Sequence, residues 1–128
     1  MSFLLDTHTF IWWIMADRNL SDRARSAIED ADSRRCVSAV TAFEIANKVR
    51  IGKLDFAQAI IDQFDTILDE AGFQRLAITP SHALLAGQIT GDHKDPFDRL
   101  LAAQSSLEGL VLITADKAFE SFDIERLW

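Results

Sequence analysis

Four acidic residues in this sequence are placed where their side chains could share one metal ion. Asp6 and Asp116 each follow a short apolar run, and Glu44 and Asp98 lie between them along the chain. If the apolar runs are buried parallel strands, these acids meet along one edge of a single sheet. Clustered carboxylates repel one another unless a hard cation such as Mg²⁺ or Mn²⁺ neutralises them. A metal site is therefore the first hypothesis.

Each acid also has a purely structural interpretation. Asp6 and Asp116 could cap helices that begin at the next residue. The four residues that end in Glu44 match a capping box, and Glu44 could pair with Lys48 one turn later. Asp98 is expected at the third position of a helix, where the helix dipole favours an acid. Capping does not require all four acids to face one edge, so their convergence distinguishes the two interpretations.

The elements that would position these acids alternate along the chain. Apolar runs bounded by polar or turn residues predict strands at 3–5, 35–38, 75–78 and 110–113, with a weaker one at 124–127. Helical spacing and capping residues predict helices after Ser21, over 39–51, over 60–71 up to Gly72, after Thr79-Pro80 and after Asp95-Pro96. This alternation predicts a parallel α/β sandwich in which ligands bind beyond the carboxyl ends of the strands.

Length and composition predict one domain over residues 1–128 with a substantial core, because nearly half of the residues are apolar. No apolar run is long enough to span a membrane, and no secretory signal is recognisable. Cys36 is the only cysteine, which excludes an internal disulfide and suits a reducing compartment. A cytoplasmic protein without membrane contact is expected.

The net charge of −7 argues against a broad basic surface for nucleic acid. An acidic site filled with metal can nevertheless hold a phosphodiester, so the charge leaves the substrate open. Trp12 and Trp13 are adjacent and cannot share one helix face. One of them is expected in the core, and the other is a candidate for a partner surface.

Other chemistries fit the sequence less well. Zinc is disfavoured, because the chain has one cysteine and no paired ligand spacing. Phosphatases with an aspartate nucleophile need a second Asp two residues after the first, where His8 stands. A receiver domain needs paired acids after its first strand and an acceptor Asp after its third, and neither is present. His93 could contribute to a site, but it is interpreted as an exposed loop residue.

The sequence resembles the PIN-domain family, specifically VapC-type ribonuclease toxins of bacterial toxin–antitoxin pairs. The likeness extends over the whole chain, and its most specific part is the block from Asp95 to Arg99. The motifs that carry it are Leu5-Asp6-Thr7-His8, Phe43-Glu44-Ile45-Ala46-Asn47-Lys48, Gly52-Lys53-Leu54, His93-Lys94-Asp95-Pro96-Phe97-Asp98-Arg99-Leu100-Leu101-Ala102-Ala103-Gln104 and Thr114-Ala115-Asp116.

The resemblance implies a three-layer α/β/α sandwich with a central parallel sheet of four to five strands. It also implies an endoribonuclease that depends on Mg²⁺ or Mn²⁺. Asp6 and Asp98 match the principal metal ligands, Glu44 and Asp116 match the remaining catalytic acids, and Thr114 matches a hydroxyl residue that supports the site.

The family further implies RNA as substrate, a cognate antitoxin protein and a homodimer of the toxin. Charge on the phosphate is expected to be offset by the metal and by Arg99 or Lys94. The alternative is a non-catalytic interaction module, in which the acids only cap helices and the groove binds a partner peptide.

Overall fold

Strands and helices alternate over residues 1–128, all of which the computed structural model describes. The strands are β1 (Ser2–Leu5), β2 (Arg34–Ser38), β3 (Gln74–Leu76), β4 (Val111–Ile113) and β5 (Arg126–Leu127). The helices are α1 (Thr7–Met15), α2 (Asp22–Glu29), α3 (Ala39–Arg50), α4 (Gln58–Asp62), α5 (Phe64–Ala71), α6 (Pro80–Gln88) and α7 (Pro96–Glu108). Short 3-10 helices cover Asp55–Ala57 and Lys117–Ser121. None of the helices combines the length and apolar composition that crossing a membrane requires.

The five strands form one parallel sheet in the order β3-β2-β1-β4-β5. From the central strand β1 the chain first builds outward through β2 and β3, and later returns to add β4 and β5 on the other side. The order therefore reverses between β1 and β4. In open α/β sheets, the crevice at such a reversal is where ligands bind.

Side-chain alternation along the strands divides the core into two layers. Phe3, Leu5 and Ile113 point into a cluster with residues of α1, α2, α3 and α5. Leu4 and Leu112 point to the opposite face, where they pack with α7 and the 3-10 helix at 117–121. Because both faces are covered by helices, the central strands β1 and β4 are apolar along nearly their whole length. The predicted three-layer α/β/α sandwich is confirmed.

The strand predictions are confirmed within one or two residues at each end, and Cys36 is buried as expected. Two helix predictions are wrong in detail. The helix predicted over 60–71 is interrupted at Gln63, where the backbone changes direction so that Ile60 and Leu68 reach the same core cluster. The capping box that ends in Glu44 does not form, because the cap of α3 is Ser38.

One buried hydrogen-bond network joins the two helices that carry Glu44 and Asp98. The hydroxyl of Ser38 accepts from the backbone N–H of Val40, in the first turn of α3, and donates to Gln104 Oε1 at 2.6 Å. Gln104 lies on α7, is fully buried, and donates to the carbonyl of Ala77. The amide thereby fixes the start of α3 against the middle of α7.

We expect Gln104→Leu to lower the free energy of unfolding by about 1–3 kcal/mol, because it removes the acceptor of the buried Ser38 O–H and the side-chain donor to the carbonyl of Ala77. Denaturant unfolding would measure the loss, with Gln88→Leu on the exposed end of α6 as the matched control. A loss in Gln104→Leu no larger than that in the control would contradict the role of the network.

Candidate metal centre and active site

Asp6 lies directly after β1 and caps α1. Its Oδ1 accepts from the backbone N–H of Thr9 at 2.7 Å, and its Oδ2 accepts from the hydroxyl of Thr114. The residue is 4% exposed. Burial raises the pKa of Asp6 above its ordinary value, although these hydrogen bonds oppose the rise. The carboxylate of Asp6 is therefore poorly solvated, and a bound cation would stabilise its negative charge.

Thr114 follows β4 and connects two of the predicted acids. Its hydroxyl donates to Asp6 and accepts from the backbone N–H of Asp116 at 3.0 Å. Asp116 is exposed and caps the 3-10 helix at 117–121 through the backbone N–H of Ala118. The strand reversal thereby brings Asp6 and Asp116 to the same edge, as the sequence predicts.

Asp98 lies in the first turn of α7, which Asp95 caps. Its side chain is 17% exposed, and its Oδ2 lies 2.8 Å from His93 Nε2. Burial, together with the smaller effect of the negative charges of Asp95 and Asp116, raises the pKa of Asp98 to about 6, although the contact with His93 opposes the rise. Asp98 and Asp116, which come from two distant segments, line the same cavity.

Glu44 lies in the second turn of α3 and is buried, but its charge is compensated. Its Oε1 accepts from the hydroxyl of Thr7 at 2.7 Å, and its Oε2 pairs with Lys48 Nζ at 2.7 Å. The predicted pair with Lys48 is confirmed. These contacts orient Glu44, and Lys48 supplies a positive charge beside it, so Glu44 needs an added cation less than Asp6 or Asp98 does.

All four acids line one small cavity of about 80 Å³. Its remaining lining residues are Thr7, His8, Lys48, Asp95 and Leu101. Lys48 is the one cationic side chain among them, apart from any charge on His8. The acids are grouped as the sequence predicts, and their capping roles exist alongside that grouping.

The donor set fits Mg²⁺ or Mn²⁺, because its members are carboxylate oxygens and two of them are poorly solvated. No three acidic, histidine or cysteine side chains form a complete set of ligands by themselves. Mg²⁺ commonly binds through one or two carboxylates and keeps several waters, so a complete protein cage is not required. Asp6 and Asp98 are the best candidates for those carboxylates.

Arg99 is placed differently from the prediction that it offsets phosphate charge. Its guanidinium donates to the backbone carbonyls of Ala86 and His93, at 2.8 and 2.9 Å, and to that of Ile89. Arg99 thereby holds the segment that carries His93, and it is not among the residues that line the cavity of the acids. Lys94, the other candidate, is exposed.

Two side chains besides the four acids shape the site. His93 is only 19% exposed on its side chain and contacts Asp98, so its interpretation as an exposed loop residue is wrong and the alternative, that it contributes to the site, is supported. Thr7, which the sequence marks only as part of the motif Leu5-Asp6-Thr7-His8, donates to Glu44 and orients it. No periodicity in the sequence indicates either contact.

Known proteins resemble this chain in sequence over most of its length. The family model described as "PIN domain" matches residues 3–125. Ribonuclease VapC22 of Mycobacterium tuberculosis is 31% identical over 119 residues, which cover 92% of this chain and 89% of that protein.

Two solved structures show the same fold. VapBC2 from Rickettsia felis, bound to a DNA fragment from its promoter, has a TM-score of 0.69 at 17% identity and covers 100% of this chain and 99% of that one. FitAcB from Neisseria gonorrhoeae has a TM-score of 0.68 at 22% identity, over 100% and 97% of the two chains. The resemblance seen in the sequence is thereby confirmed, and the chain belongs to the PIN-domain family, with a VapC ribonuclease among its relatives.

Proposed function

We propose that this protein is an endoribonuclease that depends on Mg²⁺ or Mn²⁺ and acts as the toxin of a toxin–antitoxin pair. The observation that carries the proposal is the cavity lined by Asp6, Glu44, Asp98 and Asp116, in which burial raises the pKa of two carboxyls. Its relation to a VapC ribonuclease supports RNA as the substrate. Its structural neighbours, which are toxin–antitoxin complexes, support a cognate antitoxin as partner.

Asp6 and Asp98 are the proposed metal ligands, with Asp116 completing the acidic rim. When bound, the cation would polarise the phosphodiester and lower the pKa of water, so that hydroxide is available near neutral pH. Hydrolysis forms a bond from the water oxygen to phosphorus and breaks the bond to the ribose 3′ oxygen.

The protein's contribution is to hold these groups in place before the substrate arrives. Thr114 and the N–H of Thr9 fix both oxygens of Asp6, and His93 fixes one oxygen of Asp98. Lys48 and Thr7 hold the carboxylate of Glu44, and we assign it the orientation of the attacking water. Pre-oriented groups of this kind account for a large part of catalysis in phosphoryl transfer.

A single PIN domain over residues 1–128, a homodimer and a cytoplasmic location complete the proposal. The reduced, buried Cys36 is consistent with that location. The alternative function, a non-catalytic interaction module, would share the fold and the groove. RNA cleavage that is abolished by a chelator and restored by Mg²⁺ would distinguish the enzyme from the module.

We expect Asp98→Asn to reduce the rate of RNA cleavage by more than about a hundredfold, because loss of a partner of a metal ligand alone costs 10–100-fold. Cleavage of a fluorescent single-stranded RNA in Mg²⁺ would measure the loss. Asp32→Asn, an exposed acid in the loop before β2, is the matched control. Full activity of folded Asp98→Asn would remove Asp98 from the catalytic site.

We expect Thr114→Val to reduce the cleavage rate by about 10–100-fold, because the hydroxyl that orients Asp6 is lost while the shape of the side chain is kept. Thr114→Ser retains the hydroxyl and should keep most of the activity. Equal rates for the two variants, measured with the same RNA, would show that the hydrogen bond to Asp6 is not needed.

Without metal, the acidic site should destabilise the fold in a defined pH window. The pKa of Asp98 is about 6 in the folded state and has an ordinary value of 3.8. The contribution of Asp98 to the free energy of unfolding is therefore most favourable below pH 3.8, and it is lost as the pH rises through about 6. In EDTA at pH 7.5, Asp98→Asn should therefore be more stable than the wild type by roughly 1–2 kcal/mol, after allowance for partial exposure. The difference should vanish near pH 3.8.

Addition of Mg²⁺ or Mn²⁺ should reverse that order of stability at pH 7.5, because an ion that binds only the folded state stabilises it by mass action. The melting temperature of the wild type should rise with the metal concentration, and that of Asp98→Asn should rise less. Identical metal responses in thermal scans of the two proteins would argue against Asp98 as a ligand.

A further inference from the structure

A second cavity, of about 250 Å³, adjoins the acidic cavity and has an aromatic wall. It is lined by Asp6, His8, Trp12, Ala115 and Asp116, and three of these also line the acidic cavity. Cavities that hold whole drug-sized ligands measure roughly 300–1,000 Å³, so this one suits a single ring system. Whatever occupies it lies directly beside the acids.

The aromatic wall is built from rings that support one another. The ring centroid of Trp12 lies 5.9 Å from that of His8 and 5.7 Å from that of Trp128. Trp128 does not line the cavity; it follows β5, which pairs with β4, and it supports the indole from another side. Trp12 is thus fixed to the sheet while it still lines an open cavity. The neighbouring Trp13 instead packs on Phe73 in the core cluster, 5.1 Å away.

The overall charge of this protein is unfavourable for binding RNA. The chain carries a net charge of −7, and most phosphate binding depends on lysine and arginine. Beside the acids, Lys48 is paired with Glu44, and Arg99 donates to the backbone carbonyls of Ala86, Ile89 and His93. Stacking of a base on an aromatic face would add to the affinity that the metal and these cations supply.

We infer that the cavity at Trp12 is a nucleobase subsite, in which a base next to the scissile phosphate stacks on the indole. The inference rests on the proposed ribonuclease function and adds to it a residue that positions the substrate. Because the cavity shares Asp6 and Asp116 with the acidic cavity, a stacked base places its own phosphate at the acids. Every base has a π-face, so the contact positions RNA without requiring a particular sequence.

The principal competing occupant is a hydrophobic protein segment. A further groove also includes His8 and Trp12 and continues along apolar residues, among them Met15 and Phe56, which are 52% and 56% exposed. A partner peptide could cover that groove. The cavity at Trp12 differs from it in having two carboxylates in its lining, which places its occupant next to the reacting phosphate.

The steady-state test compares Trp12→Leu, Trp12→Phe and Trp13→Leu on a short single-stranded RNA in Mg²⁺. Trp12→Leu should raise KM about five-fold to a hundred-fold with kcat within two-fold, as loss of one stacked base predicts. Trp12→Phe keeps an aromatic face and should recover most of the affinity. Trp13→Leu removes an indole of the same size that packs on the core and does not line the cavity, so it should leave KM within two-fold. An unchanged KM in folded Trp12→Leu would overturn the subsite.

A chemical deletion of the base provides a second test that does not depend on how Trp12→Leu folds. An abasic sugar is placed in turn on either side of the scissile phosphate. At one of these positions it should raise KM for the wild type and for Trp12→Phe, and have little further effect on Trp12→Leu. If the effects of the abasic sugar and of Trp12→Leu on KM are additive at both positions, the base does not stack on Trp12.

Binding separates this inference from the proposed function. Titration of Asp98→Asn with the same RNA should quench tryptophan fluorescence, and the added substitution Trp12→Phe should remove most of the quenching. Quenching through Trp12 in a protein whose wild type cleaves no RNA would refute the ribonuclease proposal and keep the subsite. RNA cleavage that is unaffected by substitution of Trp12 would refute the subsite and keep the ribonuclease proposal. Loss of antitoxin binding alone in Trp12→Leu would assign the cavity to the protein partner.

Discussion

The structure depends on one electrostatic constraint, the burial of the Asp6 carboxylate where the strand order reverses between β1 and β4. The group is almost fully enclosed, and burial raises its pKa. No lysine or arginine pairs with it; its partners are the N–H of Thr9 and the hydroxyl of Thr114. An arrangement that leaves a buried acid without a cation is costly for folding alone. The burial of Asp6 is explained if a bound ligand supplies the missing positive charge.

The four acids of the site are balanced in four different ways, and this gives them different chemical properties. Glu44 has a permanent cation in Lys48, Asp98 has His93, Asp6 has only neutral donors, and Asp116 is exposed to solvent. An acid that already has a lysine gains least from a metal, whereas a desolvated acid with neutral partners gains most. The fold thereby distinguishes the proposed metal ligands from Glu44, the acid proposed to orient water.

The order of strands and helices could be predicted from the sequence, because strands buried on both faces read as continuous apolar runs and caps mark the helices. The grouping of Asp6 with Asp116 followed from the parallel sheet alone. The contacts of Arg99 and His93 could not be predicted, since they depend on how residues 86–95 turn before α7, and no periodicity describes that turn. The break at Gln63 was also hidden, because the apolar spacing continues through it.

Capping, which the sequence presents as the alternative to metal binding, leaves acceptor sites free on the same carboxylates. A carboxylate has two oxygens and about four sites that accept hydrogen bonds. Asp116 caps its helix through Oδ1, and Asp98 contacts His93 through Oδ2, so each has a second oxygen directed elsewhere. Asp6 caps α1 with Oδ1 and is held by Thr114 at Oδ2, which leaves further lone pairs on both atoms. The caps fix the direction of the remaining lone pairs, so the bonds that begin the helices also orient the site.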